Sequence, residues 1–139
     1  MTQHQESLEI RTRGRGFVDV TREVAAVVAR ARVKSGLCVV FCRHTSCGLL
    51  LQENADPSVR RDLLQWLERL APDGDPSYEH DAEGPDDMAA HLRTVLTRTS
   101  ESIPVVAGAL ALGTWQALYL VEHRAASHAR SLFVHVQGE

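Results

Sequence analysis

No apolar run in the 139 residues approaches the ~20 residues that a membrane-spanning helix needs. The opening segment, MTQHQESLEI, has no basic stretch leading into an apolar one, so no secretory signal is expected and the cytoplasm is the expected compartment. Cysteine is scarce and odd in number. Cys38, Cys42 and Cys47 lack CxxC spacing, which argues against a ribbon-type zinc site and reads as reduced small hydrophobes on a strand. Nor is there an excess of positive charge. The formal net charge is −3 with mixed signs, not the electrostatic footprint of a nucleic-acid binder. Arg11, Arg13 and Arg15 are local and read as a solvated edge. Internal repeats and low-complexity tracts are missing too.

What remains is a chain of 44% hydrophobic residues whose length suits one domain, residues 1–139. Residues 7–13 alternate as a half-exposed strand, and Gly14 and Gly16 allow a turn. Val24, Val27, Val28 and Ala31 recur at helical spacing, which predicts a helix over 22–33, capped by Thr21 and ended by Gly36. Leu37 to Thr45 reads as a buried strand and Leu49 to Gln52 as its return, a hairpin with HTSCG at the tip. Asp56 before Pro57 marks the start of a second helix over 57–70, with Val59, Leu63, Trp66, Leu67 and Leu70 as its apolar stripe. Gly84-Pro85 announces a third helix with Met88, Leu92, Val95 and Leu96 as its buried face. Asp87 and His91, four apart, are neighbours on a second face of that helix. Strands follow at 103–106, at 115–123 and around 132–136, and 125–130 reads as a loop. Trp115 is expected in the core. Three helices and about seven strands predict an α+β domain with sheets packed face to face, a β-sandwich.

The chemistry concentrates in YEHDAEGPDDMAAH, residues 78–91, which carries two histidines and several acids but little apolar surface. His44, His80, His91, His123 and, less so, His128 stand where an imidazole could bind a metal or move a proton. Each taken alone is more often a surface or hydrogen-bonded histidine, and sequence does not say which of them converge. Glu53 shares a strand face with Leu49 and Leu51, where an acid is costly unless paired. It is a candidate base, metal ligand or ion-pair partner of Arg60 or Arg124. Thr45-Ser46 and Gly113-Thr114 offer hydroxyls and backbone N–H groups to an oxyanion, and Arg124 a bidentate fork. Both turns are equally compatible with ordinary turn chemistry.

HTSCGLLLQENADPSVRRDL (44–63), the histidine–acid segment 78–91, and IPVVAGALALGTWQ (103–116) followed by Glu122-His123-Arg124 together resemble the YjbQ-like family, also called secondary thiamine-phosphate synthases. The resemblance runs from about residue 6 to the closing QGE. It implies a homotrimer and a weak thiamine-phosphate synthase activity, joining an aminopyrimidine diphosphate to a thiazole phosphate with release of diphosphate. On that basis His80, Asp87, His91 and His123 are the expected ligands of a divalent metal, Zn²⁺ or Mg²⁺. Thr45, Ser46, Asn54, Gly113, Gln116 and Arg124 are the expected anion- and substrate-binding set, and His44, Glu53 and Asp86 the expected acid/base groups. Cys47, Ala117 and the Ala89-Ala90 pair depart from the family's usual residues. A metal-dependent hydrolase of a small phosphate or ester, and a non-catalytic trimeric metal- or metabolite-binding protein, are the alternatives.

Overall fold

A computed structural model describes residues 1–139. It has eight strands and three helices. In chain order they are β1 (Thr2–Arg11), β2 (Gly16–Asp19), α1 (Thr21–Ala31), β3 (Ser35–Cys42), β4 (Cys47–Glu53), α2 (Pro57–Leu70), α3 (Asp87–Leu96), β5 (Ser100–Val106), β6 (Ala109–Leu110), β7 (Gln116–Glu122) and β8 (Ala129–Gly138). A five-stranded sheet runs β1-β8-β3-β5-β6 and a three-stranded sheet runs β2-β7-β4. All the strand pairings within them are antiparallel. None of the helices is long and apolar enough to cross a membrane.

The two sheets face each other across one core. Cys38, Val40 and Cys42 of β3, Ile103 and Val105 of β5, and Leu132, Val134 and Val136 of β8 meet Leu49 of β4 and Leu118 and Leu120 of β7. The buried stripe of α1, Val24, Val27, Val28 and Ala31, completes that core. Each fully buried Leu or Val contributes roughly 1.5–3 kcal/mol over its exposed state. Residues Ala117 to Glu122 of β7 are buried on both faces, since this central strand is covered on each side.

Several local expectations change. The 44–48 segment is not a hairpin tip. β3 pairs with β5 and β8, while β4 pairs with β7, so the turn is a corner that carries the chain from one sheet to the other. Thr21 does not cap α1. Its hydroxyl donates to the Leu118 carbonyl at 3.5 Å and accepts the Leu118 N–H at 2.9 Å, pinning the helix start to β7. The helix ends on Arg32 in the left-handed region, φ 55°. Gly36 instead lies in β3, where a Cβ would sit 2.0 Å from the Gln137 carbonyl oxygen. Asp56 does cap α2, accepting the Ser58 N–H at 2.9 Å. In α3 the buried face is Asp87, Ala89, Ala90 and Arg93, and Val95 and Leu96 are exposed. Two alanines let the helix lie close to β4, while Asp87 turns inward to His80, His91 and Arg124, and Arg93 to the Ala71 and His123 carbonyls. Trp115 is 63% exposed, outside the core, because β7 begins one residue after it.

Candidate metal centre

Asp87 is the pivot of the polar segment. It opens α3 with its side chain 3% exposed. Its Oδ2 lies 2.7 Å from Nε2 of His80 and 3.1 Å from Nε2 of His91. The two imidazole rings are 5.3 Å apart between centroids. One donor atom from each of His80, Asp87 and His91 lies within 4.8 Å of the others. His80 arrives on the loop before α3 and His91 one helical turn after Asp87.

The far nitrogen of His91 decides how this trio reads. Nδ1 of His91 lies 2.9 Å from the backbone oxygen of Thr45, which can only accept, so Nδ1 carries a proton. A neutral ring then turns a lone pair on Nε2 toward a carboxylate oxygen, which is repulsive. Both contacts are favourable only with a cation between Nε2 and Asp87, either a second proton on the ring or a metal ion. A carbonyl holding the outer N–H of a ligating histidine is the usual support of a metal site.

Arg124 holds the other side of the acids. Its Nη1 donates to Asp87 Oδ1 at 2.7 Å, its Nε to Asp86 Oδ2 at 3.0 Å and its Nη2 to the Glu83 carbonyl at 3.1 Å. Burial works against ionising Asp86, but Arg124 and the Ala125 N–H outweigh it and bring its pKa down to about 2. Burial likewise opposes ionisation of Asp87, and His80, His91 and Arg124 reverse it. Of the three, His80 lines an open cleft of about 350 Å³, together with Gly74, Pro76, Tyr78, Asp81 and Pro85 among others.

A family model described as UPF0047 protein YjbQ-like matches residues 6–139. The chain belongs to that family. A UPF0047 protein of Synechocystis is 51% identical over 137 residues, covering 99% of this chain and 93% of that protein. The Escherichia coli O157:H7 UPF0047 protein YjbQ is 40% identical, covering 98% of this chain and 99% of that protein. A conserved hypothetical protein from Thermus thermophilus superposes with a TM-score of 0.83 at 39% identity, over 93% of this chain and 97% of that one. A YbjQ-like protein of unknown function from Sulfolobus solfataricus, with a TM-score of 0.86 at 24% identity over 99% of each chain, shares the fold.

In this YjbQ-like chain the expected site residues do not all come together. His80, Asp87 and His91 converge. His123 does not reach them: it is 1% exposed, and its Nε2 lies 3.1 Å from the Thr97 hydroxyl. Burial, with help from the Arg93 charge, pushes its pKa down to about 3. It sits on the outer face of the three-stranded sheet, underneath α3 rather than beside the cleft. Asp86 is a fixed anion for Arg124 and the Ala125 N–H, a poor acid or base. Arg124 is spent on Asp86, Asp87 and the Glu83 carbonyl and is no free anion clamp. His44 accepts the Ser131 N–H on Nε2 at 2.7 Å, and burial lowers its pKa. That nitrogen is occupied, so it is no free base.

A further group lies at the opposite end of the small sheet. β4 and β7 pair from Cys47↔Glu122 to Glu53↔Gln116. Six residues at ~3.3 Å each put Glu53, Asn54, Gly113 and Gln116 about 20 Å along the strands from Glu122. There Glu53 accepts the Ala55 and Asp56 N–H groups at 3.2 and 3.0 Å, and Gln116 Oε1 accepts the Gly113 N–H at 2.8 Å. These are turn closures. Glu53 pairs with neither Arg60 nor Arg124 through its carboxylate; Arg60 donates to its backbone oxygen at 3.3 Å.

Sequence reasoning missed a second polar centre. Glu122 is fully buried on the core face of β7. Its Oε1 accepts from Thr12 at 2.7 Å and from Arg130 Nε at 2.8 Å, and its Oε2 is bonded by Arg130 Nη2. The same Arg130 Nη2 donates to the Ser46 hydroxyl at 3.0 Å. Ser46 is thereby a structural anchor of the 43–46 corner, and Thr45, which is exposed, offers the site its backbone oxygen.

Proposed function

We propose that this chain is a metal-dependent enzyme acting on a small phosphorylated heterocycle. One observation carries the metal half: a single oxygen of buried Asp87 faces two imidazole nitrogens, and one of those rings has its only neutral-state proton committed to Thr45. Two imidazoles and a carboxylate, with His80 on an open cleft, suit Zn²⁺ better than Mg²⁺, which prefers oxygen donors. Three protein donors leave room for water or substrate, as catalytic sites do. A bound ion of this kind supplies Lewis acidity and a water of lowered pKa.

The chain's own residues hold and orient. His80 and His91 present Nε2, the Thr45 carbonyl fixes the tautomer of His91, and Arg124 keeps Asp87 ionised and aimed. The substrate class rests on the motifs shared with the YjbQ-like family, and the thiamine-phosphate synthase-like transfer is the first reaction to test. A second reading, hydrolysis of a small phosphate or ester, is favoured by the nitrogen-rich donor set, which suits water activation. The homotrimer is proposed alongside, with exposed Phe41, Val106 and Trp115 as apolar surface available to it.

The test is turnover by the zinc- and magnesium-loaded protein with both thiamine precursors and with a panel of phosphomonoesters and carboxylic esters. The expected result is product from one of these classes, falling at least tenfold in His80→Ala and His91→Ala. Equal turnover in the variants, or none with any substrate, counts against an enzyme at this centre.

A further inference from the structure

Cys42 closes β3 and Cys47 opens β4, so each belongs to a different sheet. Their Sγ atoms are nevertheless 3.4 Å apart. Between them lies the 43–46 corner, the segment whose Thr45 carbonyl holds His91 and whose Ser46 is held by Arg130. Both backbones are anchored independently. Cys42 pairs with Leu132 and its N–H donates to the Thr99 carbonyl at 2.7 Å, and Cys47 pairs with Glu122.

We propose that Cys42 and Cys47 are a dithiol that closes reversibly to an intramolecular disulfide, stapling the two sheets across the corner that orients His91. An S–S bond is about 2.05 Å long, so the sulfurs must approach by a little over an ångström, within reach of small side-chain rotations. Either sulfur can donate in their contact, and a thiolate at Cys42 is favoured by the Cys47 S–H, the His44 backbone and the Arg130 charge against the cost of burial. Cys47 is raised, chiefly by the same hydrogen bond.

The oxidant is a small-molecule disulfide. The Cys42 thiolate attacks one of its sulfurs and releases one thiol. Cys47 then attacks the Cys42 sulfur of the mixed disulfide and releases the second. Two cysteine S–H bonds are lost, one S–S bond forms, and the two protons and two electrons leave on the released thiols. Both cysteines are only 1% exposed, so exchange waits on local opening of the corner. Cys38 is an internal control: it lies on the same face of β3, nearer the other end of the strand, and burial pushes its thiol up to about 11. The value of the staple to the cleft rests on the metal reading above; the thiol chemistry does not.

The 139-residue chain is incubated with oxidised glutathione, denatured, alkylated and weighed. One alkylated thiol, Cys38, is expected after oxidation, against three in the reduced protein, with dithiothreitol restoring three. Cys42→Ala and Cys47→Ala are each expected to form no internal disulfide. His91 ring resonances are expected to move on oxidation of the wild type and to stay put in both variants. Three alkylatable thiols after oxidation, consumption of Cys38, or a bond between chains would overturn the pairing. A disulfide that leaves the His91 resonances unmoved would overturn the coupling to the cleft.

Discussion

The Nδ1 of His91 donates to the backbone oxygen of Thr45 across 2.9 Å, joining the third helix to the corner between the two sheets. Through this bond a loop peptide group chooses which nitrogen of His91 faces Asp87. The contact commits no side chain of the corner, so it survives substitution of Thr45 and depends on the corner's shape. Thr45→Ala is accordingly expected to leave zinc affinity within about twofold of wild type by calorimetry, whereas His91→Ala removes most of it.

Arg124 should matter through Asp87 and not through a substrate. Arg124→Ala frees Asp87 Oδ1 and both Asp86 contacts. Loss of an orienting partner of this kind typically weakens metal binding about 10–100-fold. Isothermal titration with zinc would read this, and unchanged affinity would show that the fork is ornamental to the site.

The buried pair of Glu122 and Arg130 governs stability. Glu122→Ala leaves the Arg130 charge buried and unpaired, at a cost of about 3–5 kcal/mol by chemical denaturation. Replacing both together, as Glu122→Leu with Arg130→Met, should cost clearly less than the two single changes summed.

These centres are unequally legible in the sequence. Asp87 and His91 stand at helical spacing, and that spacing alone makes them neighbours. His80 comes from a loop, and nothing local says that it folds back onto Asp87. The fold class is readable because alternation and helical periodicity recur along the chain, yet β2 escapes, being only four residues between a glycine turn and α1. The rule that an acid on an apolar strand face must be paired is sound, but it misleads at Glu53, which sits at a strand end and closes a turn. Glu122 shares its face with Leu118 and Leu120, and Arg130 shares one with Leu132 and Val134, so the same rule points to both. The separation of Glu53 and Gln116 from the cleft follows from strand register, which sequence does not state.

His123 makes folding sensitive to acid. Its pKa is about 3 in the folded protein, below the ordinary histidine value, because burial disfavours the charged ring. The unfolded chain therefore binds the proton first. The stability that depends on a neutral His123 is whole above pH ~6.5 and is lost as pH falls toward about 3, at up to about 1 kcal/mol per pH unit. His123→Gln should flatten this part of the profile in denaturant melts at stepped pH, whatever its effect on stability at neutral pH.

Anomalous scattering at the zinc edge, from crystals grown with one equivalent of Zn²⁺, bears most directly on the centre. The expected result is one strong peak at about 2.0–2.2 Å from Nε2 of His80, Nε2 of His91 and an oxygen of Asp87. A map with no peak there, and Asp87 still hydrogen-bonded to both rings, would mean that protons and not a metal hold the trio together.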